Sequence, residues 1–190
     1  MRDYGKTPVL NAQGIVHTVG IRARDNWEHL QKKYDIDESV DRLFEKRLHI
    51  YLEMLKRELA PMPGLMDLLD RLKAYGLRLA IASSSVRPHI DTAVDLLMIR
   101  QYFQVIVSGA EVKKGKPHPD IFLEAARPLG LAPADCLVIE DAENGVMAAR
   151  AAGMKVIAVP SRFTAHHNLS AATAIVPSLH AITIELIQTI

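Results

Sequence analysis

Three places in the chain carry residue types that could act on a phosphate group. Ser83 and the pair Glu140-Asp141 each follow directly on a short apolar run, and Lys116 lies in a turn rich in glycine and proline. Carboxylates are the hard oxygen ligands that Mg²⁺ prefers. An ammonium group and a hydroxyl can stabilise the charge that develops on a phosphoryl group in transfer. In combination these residue types favour a magnesium-dependent phosphoryl site.

The elements that would position these residues are strands alternating with helices. Apolar runs after Pro61 and Pro63 predict five strands, at residues 77–82, 105–107, 136–139, 155–159 and 174–176, with helices between them and a closing helix over 179–187. Such an order predicts an α/β fold with a parallel sheet covered on both faces. Ligands bind at the carboxyl ends of such strands, which are followed here by Ser83, Ser108, Glu140-Asp141 and Pro160-Ser161.

The first part of the chain, up to about Ala60, is helical and charged. Apolar residues at spacings of three and four predict a helix that Asp25 could cap and a longer helix over residues 38–59, with Asp37 as an N-cap. The prolines that follow mark a boundary. We therefore expect two units, residues 1–60 and residues 61–190.

Composition narrows the function classes further. The 190 residues include 23 Lys and Arg against 22 Asp and Glu, so no excess of positive charge favours binding to nucleic acid. No apolar run reaches the roughly 18–20 residues of a membrane span, and we see no secretory signal at the start. The single cysteine, Cys136, excludes an intrachain disulfide. We expect a cytoplasmic protein.

The chain resembles the haloacid dehalogenase superfamily, in the branch of capped sugar-phosphate phosphatases and β-phosphoglucomutase. The resemblance covers nearly the whole chain and is carried by the segments Leu79-Ala80-Ile81-Ala82-Ser83-Ser84-Ser85, Gly115-Lys116-Pro117-His118-Pro119-Asp120-Ile121-Phe122 and Val138-Ile139-Glu140-Asp141-Ala142-Glu143-Asn144-Gly145. It implies a Rossmann-like α/β core over residues 61–190 and a small helical cap over residues 1–60. The implied activity is a Mg²⁺-dependent phosphatase of a small phosphorylated metabolite.

The resemblance also implies roles for individual residues. Ser83, with Ser84 beside it, looks like the group that binds the transferring phosphoryl, and Lys116 looks like the cation that pairs with it. Glu140 and Asp141 look like the acidic pair that positions Mg²⁺. In the cap, a loop at residues 20–25 sits where such caps read the substrate, so Arg22 or Arg24 could contact it, although a solvated arginine is the alternative.

The family's nucleophile motif, Asp-x-Asp after the first strand, is missing from the pattern. The only Asp-x-Asp, Asp35-Ile36-Asp37, follows Lys32-Lys33-Tyr34 rather than an apolar strand, and we reject it. Residues 1–6 resemble the end of the first cap helix, so we expect an N-terminally shortened chain without the central first strand. Such a chain should be poorly stable alone or take a strand from elsewhere, and self-association through unpaired sheet edges is possible.

Other functions stay open at this point. A β-phosphoglucomutase-like isomerase would use the same scaffold, and a non-catalytic protein could retain the phosphate and metal pocket. A P-loop is excluded because residues 109–116 have five residues between the glycines and are followed by Pro117 instead of Ser or Thr. His166-His167 are expected to be an exposed loop pair, and Cys136 a small buried residue within a strand.

Overall fold

A computed structural model describes residue 20 and residues 22–190 of the chain. The described part begins with two helices, α1 (Ala23–Tyr34) and α2 (Val40–Glu58), which pack against each other. The prediction for residues 1–6 lies outside the described residues. Pro61 and Pro63 fall in the connection between α2 and the next helix, as expected, while the division into two units stays a prediction.

The remaining elements alternate between strand and helix, which confirms the predicted α/β class. In chain order they are α3 (Leu65–Ala74), β1 (Ala80–Ser83), α4 (Arg87–Leu96), β2 (Val105–Ser108), α5 (Asp120–Leu129), β3 (Leu137–Glu140), α6 (Glu143–Ala151), β4 (Lys155–Ala158), β5 (Ala174–Ile175) and α7 (Ile184–Thr189). Pro88 lies in the first turn of α4, where a backbone N–H has no partner within the helix. Pro128 lies one residue before the end of α5. The helix ends directly after it, because proline lacks the N–H that a longer helix would need there.

The strands form two separate parallel sheets. β1 pairs with β2, so that Ile81 lies opposite Ile106. β4 lies between β3 and β5 in the second sheet. Among the described residues, no strand lies between β1 and β3, although both strands carry predicted site residues at their carboxyl ends.

Two helices hold the two sheets together. α5 packs on β1 and β2 and also contacts α6, which covers β3 and β4 on the same face. On the opposite face, α3 contributes Leu69 to a cluster with Ile81 of β1, and Leu68 and Leu72 to a cluster with Ile157 of β4. The core is therefore continuous across the gap between the sheets.

Both predicted N-caps of the first part are wrong. Arg22 occupies the N-cap position of α1, and Asp25 lies in the first turn, where its Oδ2 accepts a hydrogen bond from Arg22 Nε at 2.7 Å. At α2 the Ser39 hydroxyl accepts from the Arg42 N–H at 3.4 Å, so Asp37 is not the cap. At α2 the hydroxyl of a neighbouring residue takes the capping role, whereas no side chain caps the first N–H groups of α1.

Two element boundaries also differ from the sequence pattern. β1 begins at Ala80 rather than at residue 77, because the Leu77 N–H still bonds the Leu72 carbonyl at the end of α3. The predicted closing helix is divided into a 3₁₀ turn, Leu179–Ala181, and α7. The Thr183 side chain accepts from the Leu186 N–H at 3.2 Å and starts the second helix there.

None of the described helices is both long enough and apolar enough to cross a membrane.

Candidate active site

Lys116 lies at the carboxyl edge of the gap between the two sheets. Its side chain is 7% exposed, and its ammonium forms an ion pair with Glu140 at the end of β3. The same ammonium donates to the Ala82 carbonyl of β1 at 3.2 Å and lies 4.7 Å from the centre of the Phe122 ring. Lys116 therefore joins the two strands whose ends carry the other predicted site residues.

The Glu140 carboxylate is fully engaged by the protein. Oε1 pairs with Lys116, and Oε2 accepts from the N–H groups of Asp141 and Ala142 at 2.8 and 3.1 Å. Burial alone would raise the pKa of Glu140, but the Lys116 charge and these hydrogen bonds outweigh it, so the pKa lies below the ordinary value. Glu140 is thus held as a carboxylate that fixes the lysine.

Gly145 makes room for the Glu140 carboxylate. A Cβ atom at position 145 would lie 1.9 Å from Glu140 Oε1, which is far inside van der Waals contact. Gly145 is the third residue of α6, where alanine would otherwise be preferred. The glycine is therefore explained by the approach of the acid to the helix. Gly145 belongs to a segment that carries the resemblance, but its steric role does not follow from the sequence.

Asp141 is half-buried beside this pair. Its Oδ2 accepts a hydrogen bond from the Ser161 hydroxyl at 3.3 Å, and Ser161 in turn is bonded to the buried Thr164 hydroxyl at 2.9 Å. The pKa of Asp141 lies above its ordinary value, because burial raises it and the adjacent Glu140 charge raises it further. The Ser161 hydrogen bond and the Lys116 charge lower this pKa by less. The sequence placed Ser161 after a strand without a role, and nothing in its pattern identified Thr164.

The fit of this edge to Mg²⁺ depends on Asp141. Within the described residues, no group of three or more His, Cys, Asp or Glu side chains is arranged to hold a metal. Mg²⁺ nevertheless uses one or two carboxylates and completes its shell with water and phosphate oxygens. Two adjacent carboxylates beside one ammonium also leave a net negative charge that a divalent cation would neutralise. The residues fit one carboxylate ligand, Asp141, and the metal role of Glu140 stays a prediction.

The two serines at the carboxyl end of β1, Ser83 and Ser84, make different contacts. Ser83 Oγ accepts from the Ser85 N–H at 3.2 Å, which orders the turn one residue beyond the carbonyl that Lys116 contacts. Ser84 Oγ donates to the Gly20 carbonyl at 3.0 Å and so ties the strand end to the first part of the chain. Phosphate binding by Ser83 and Ser84 stays a prediction. Ser83 directly follows Ala82, whose carbonyl Lys116 contacts.

The two arginines of the first part have different surroundings. Arg22 bonds Asp25 and reaches the carbonyls of Val112 and Lys113 at 3.3 and 3.2 Å, with its side chain packed over Gly115. Arg24 is exposed and pairs with Asp41 of α2. Arg22 therefore contacts the loop that leads to Lys116, and a substrate contact by either arginine stays a prediction.

Two predictions about single residues outside the site need correction. His166 is exposed, but His167 is buried, and its Nδ1 accepts from the Glu143 N–H at 3.0 Å at the start of α6. Cys136 is only partly buried and precedes β3 rather than lying within it. Burial raises the pKa of its thiol, and the Asp135 charge adds to this.

The chain is similar to a family of known proteins over most of its length. The model of the family described as haloacid dehalogenase-like hydrolase matches residues 2–159. CbbY of Rhodobacter capsulatus is 38% identical over 149 residues, which are 76% of this chain and 66% of that protein. The bifunctional riboflavin kinase/FMN phosphatase of Arabidopsis thaliana is 40% identical over 186 residues, which are 97% of this chain and 45% of that protein.

Solved structures show the same fold. The crystal structure of CbbY from Rhodobacter sphaeroides in complex with phosphate is 27% identical, with a TM-score of 0.77, over 88% of this chain and 76% of that one. β-Phosphoglucomutase from Clostridium difficile is 28% identical, with a TM-score of 0.76, over 90% and 77%. The chain spans less than two thirds of the length of the two curated relatives above. It belongs to the haloacid dehalogenase-like hydrolase family.

Proposed function

We propose that the protein is a Mg²⁺-dependent phosphatase that acts on a small phosphorylated metabolite. The observation that carries this proposal is the buried Lys116 ammonium, which Glu140 and the Ala82 carbonyl hold at the carboxyl edge between the two sheets. A buried cation held in a fixed position stabilises the charge of a transferring phosphoryl group without reorganisation. The relatives include an FMN phosphatase and a phosphatase of phosphorylated carbohydrates, so we propose only the class of substrate.

The described residues would divide the work among them. Lys116 and Ser83 would bind the phosphoryl oxygens, and Glu140 would keep the lysine in place. Asp141 would hold Mg²⁺, which supplies charge neutralisation when it is bound. Ser161 would orient Asp141 through the hydrogen bond already formed.

The nucleophile in this proposal is an aspartate that lies outside the described residues. Its carboxylate oxygen would form a bond to phosphorus while the bond from phosphorus to the ester oxygen breaks, and the leaving alcohol would take a proton from a neighbouring acid. Water would then hydrolyse the aspartyl-phosphate and release inorganic phosphate. The described part of the chain would therefore provide the phosphate and metal binding half of the site.

The test is turnover of p-nitrophenyl phosphate with and without Mg²⁺. It uses the 190-residue chain and the same chain extended at its N-terminus by its upstream coding sequence. We expect activity in the extended form, dependence on Mg²⁺, and loss of about 100-fold or more in Asp141→Asn and Lys116→Met. Lys114→Ala is the matched control, because Lys114 is an exposed lysine two residues away in the same loop and should leave turnover unchanged.

The other outcomes separate the alternatives. Activity in the 190-residue chain would mean that one of its own carboxylates is the nucleophile. Absence of activity in both forms, with inorganic phosphate still bound, would support the non-catalytic phosphate-binding protein. Circular dichroism of each variant shows whether a lost activity reflects lost folding instead.

A further inference from the structure

Ser108 is the last residue of β2, and it is fully buried, with 0% of its surface exposed. It follows a predicted strand, and the proposed reaction gives it no role. Its hydroxyl donates to the Ser85 carbonyl at 2.8 Å and accepts from the Ala110 N–H at 3.2 Å. Because both capacities of the hydroxyl are used, it fixes the two segments that it joins. Ser108 therefore ties the end of β2 to the turn that follows β1.

The turn that Ser108 reaches contains the serines predicted to bind phosphate. Ser85 lies two residues beyond Ser83, and its N–H donates to Ser83 Oγ at 3.2 Å. A hydroxyl that accepts in this way can still donate its own proton to a phosphoryl oxygen. Ser108 holds the carbonyl of Ser85, and the N–H of Ser85 holds Ser83. The position of the Ser83 hydroxyl therefore depends on Ser108.

An ion pair makes a second link between the same two segments. Arg87 is the first residue of α4, and its Nε and Nη2 each donate to one carboxylate oxygen of Glu111 at 2.8 Å. The same Nη2 donates to the Ile106 carbonyl of β2 at 2.7 Å. Glu111 Oε2 also accepts from the Ser108 N–H at 3.0 Å, which completes a capping box at the 3₁₀ turn Gly109–Glu111. The Glu111 carboxylate therefore binds both segments at once.

The two segments also lie in direct contact. A Cβ atom at Gly109 would lie 3.0 Å from the Cα and the carbonyl oxygen of Ser84, which is tighter than ordinary contact. From this 3₁₀ turn the chain continues to Lys116, whose ammonium donates to the Ala82 carbonyl. The two groups predicted to bind the phosphoryl group, Ser83 and Lys116, thus lie on segments that one network of contacts joins.

Stability alone does not account for the pair of Arg87 and Glu111. Their side chains are 39% and 40% exposed, and exposed ion pairs contribute little to the free energy of unfolding. Two parallel hydrogen bonds between an arginine and a carboxylate are, however, strongly directional. Groups that bind a substrate must be held within about 0.5 Å of their productive positions. The pair is therefore better suited to fixing positions than to stabilising the fold.

We propose that Ser108 and the Arg87–Glu111 pair are positioning residues, which hold the Ser83 turn against the Lys116 loop so that the two bind one phosphate group. The inference rests on the proposed function for the phosphate, and it gives a role to three residues that the proposed reaction does not use. None of the three has to touch the phosphate. Loss of any of them should allow the two segments to separate, and phosphate should then bind less tightly.

The test measures the binding of inorganic phosphate by isothermal titration calorimetry, with both forms of the chain used for turnover. We expect Ser108→Ala, Arg87→Met and Glu111→Ala each to raise the dissociation constant about fivefold or more. The sign of the Glu111→Ala effect is decisive. Removal of a negative charge near the site would by itself tighten the binding of an anion, whereas loss of positioning weakens it. Equal or tighter binding by Glu111→Ala, or unchanged binding by Ser108→Ala, would overturn the proposal.

Arg100→Met is the matched control for Arg87→Met. Arg100 also binds two carboxylates of α4, those of Asp91 and Asp95, but these lie farther from the start of the helix. We expect this variant to bind phosphate as the unchanged chain does, and equal weakening in the two arginine variants would overturn the proposal. Urea unfolding shows whether each variant is folded. If Ser108→Ala does not fold, the two variants at the exposed ion pair decide the outcome.

Lys116→Met separates this inference from the proposed function. We expect it to weaken phosphate binding, because it removes the buried ammonium itself. If phosphate binds equally well to Lys116→Met, the proposed function fails and the positioning role fails with it. If Lys116→Met weakens binding but the variants of Ser108, Arg87 and Glu111 do not, the proposed function stands and only the positioning role is overturned.

Discussion

At the scale of single residues, the contact between Gly145 and Glu140 shows how the site is packed. The carboxylate that fixes Lys116 lies where a side chain on residue 145 would begin. A buried ion pair loses most when one partner is displaced, because the other charge is then left without compensation. The site is therefore sensitive to a change as small as one methyl group at this position.

We predict that Gly145→Ala destabilises the protein by about 2 kcal/mol or more, although alanine in a helix is intrinsically favoured by about 1 kcal/mol. The added methyl group would displace Glu140 from Lys116 and from the two N–H groups that it accepts from. Urea unfolding measured by circular dichroism gives the change in free energy.

The sign of this effect should reverse in a second background. In Lys116→Met/Glu140→Ala, the carboxylate and its buried partner are both absent, so Gly145→Ala should be neutral or stabilise by up to about 1 kcal/mol. An equal loss in both backgrounds would show that the methyl group meets something other than Glu140.

At the scale of elements, the contact between α2 and α4 contains a buried histidine. His89 of α4 is 2% exposed, and its Nε2 donates to the Leu48 carbonyl of α2 at 3.2 Å, with the Tyr51 ring 4.6 Å away. Burial lowers the pKa of His89 more than the Leu48 hydrogen bond raises it, and the Arg47 charge lowers it further. The first part of the chain is thus joined to the second through a neutral imidazole.

This geometry predicts a pH dependence of stability. The unfolded histidine takes up a proton near pH 6.5, whereas the folded one does so at lower pH, so the unfolded state binds more protons in that window. Stability from His89 is therefore present above about pH 6.5 and is lost as the pH falls toward the folded pKa. We expect the free energy of unfolding, measured with urea, to fall between pH 7.5 and pH 5. The fall should be larger in the unchanged chain than in the His89→Gln variant. The exposed His49→Gln should behave as the unchanged chain, and equal losses in His89→Gln and the unchanged chain would contradict the prediction.

At the scale of the whole molecule, the described residues form two parallel sheets that share one core without sharing a ladder. Helices α3 and α5 span the gap, but the inner edges of β1 and β3 face a groove that the described residues line. Buried backbone groups without partners cost about 1–3 kcal/mol each. Within the described residues, helix packing therefore joins strands that hydrogen bonds to a central strand ordinarily join in a parallel sheet.

We predict that the free energy of unfolding of the chain alone is less than about 5 kcal/mol, which is the lower end of the range for native domains. We also expect it to bind the dye 8-anilinonaphthalene-1-sulfonate, because the groove exposes apolar surface. Urea unfolding and dye fluorescence measure both. A monomer that unfolds cooperatively with a much larger free energy and does not bind the dye would show that the groove is closed in solution.

The sequence by itself determined the α/β class, the approximate strands and the edge at which Ser83, Lys116, Glu140 and Asp141 meet. Apolar periodicity and prolines are local signals, and parallel strands bring their carboxyl ends to one edge whatever their order. The caps at Arg22 and Ser39 were missed because several neighbouring residues could fill each position, and only the path of the chain selects one.

The tertiary structure alone decided how the site residues are used. Pairing of Lys116 with Glu140, the space provided by Gly145, and the Ser161–Thr164 support of Asp141 all join segments that are distant in sequence. The same is true of buried His167 and of the groove between β1 and β3. Hydrogen bonds and steric contacts of this kind depend on distances in space, and residue types and spacing along a chain do not specify those distances.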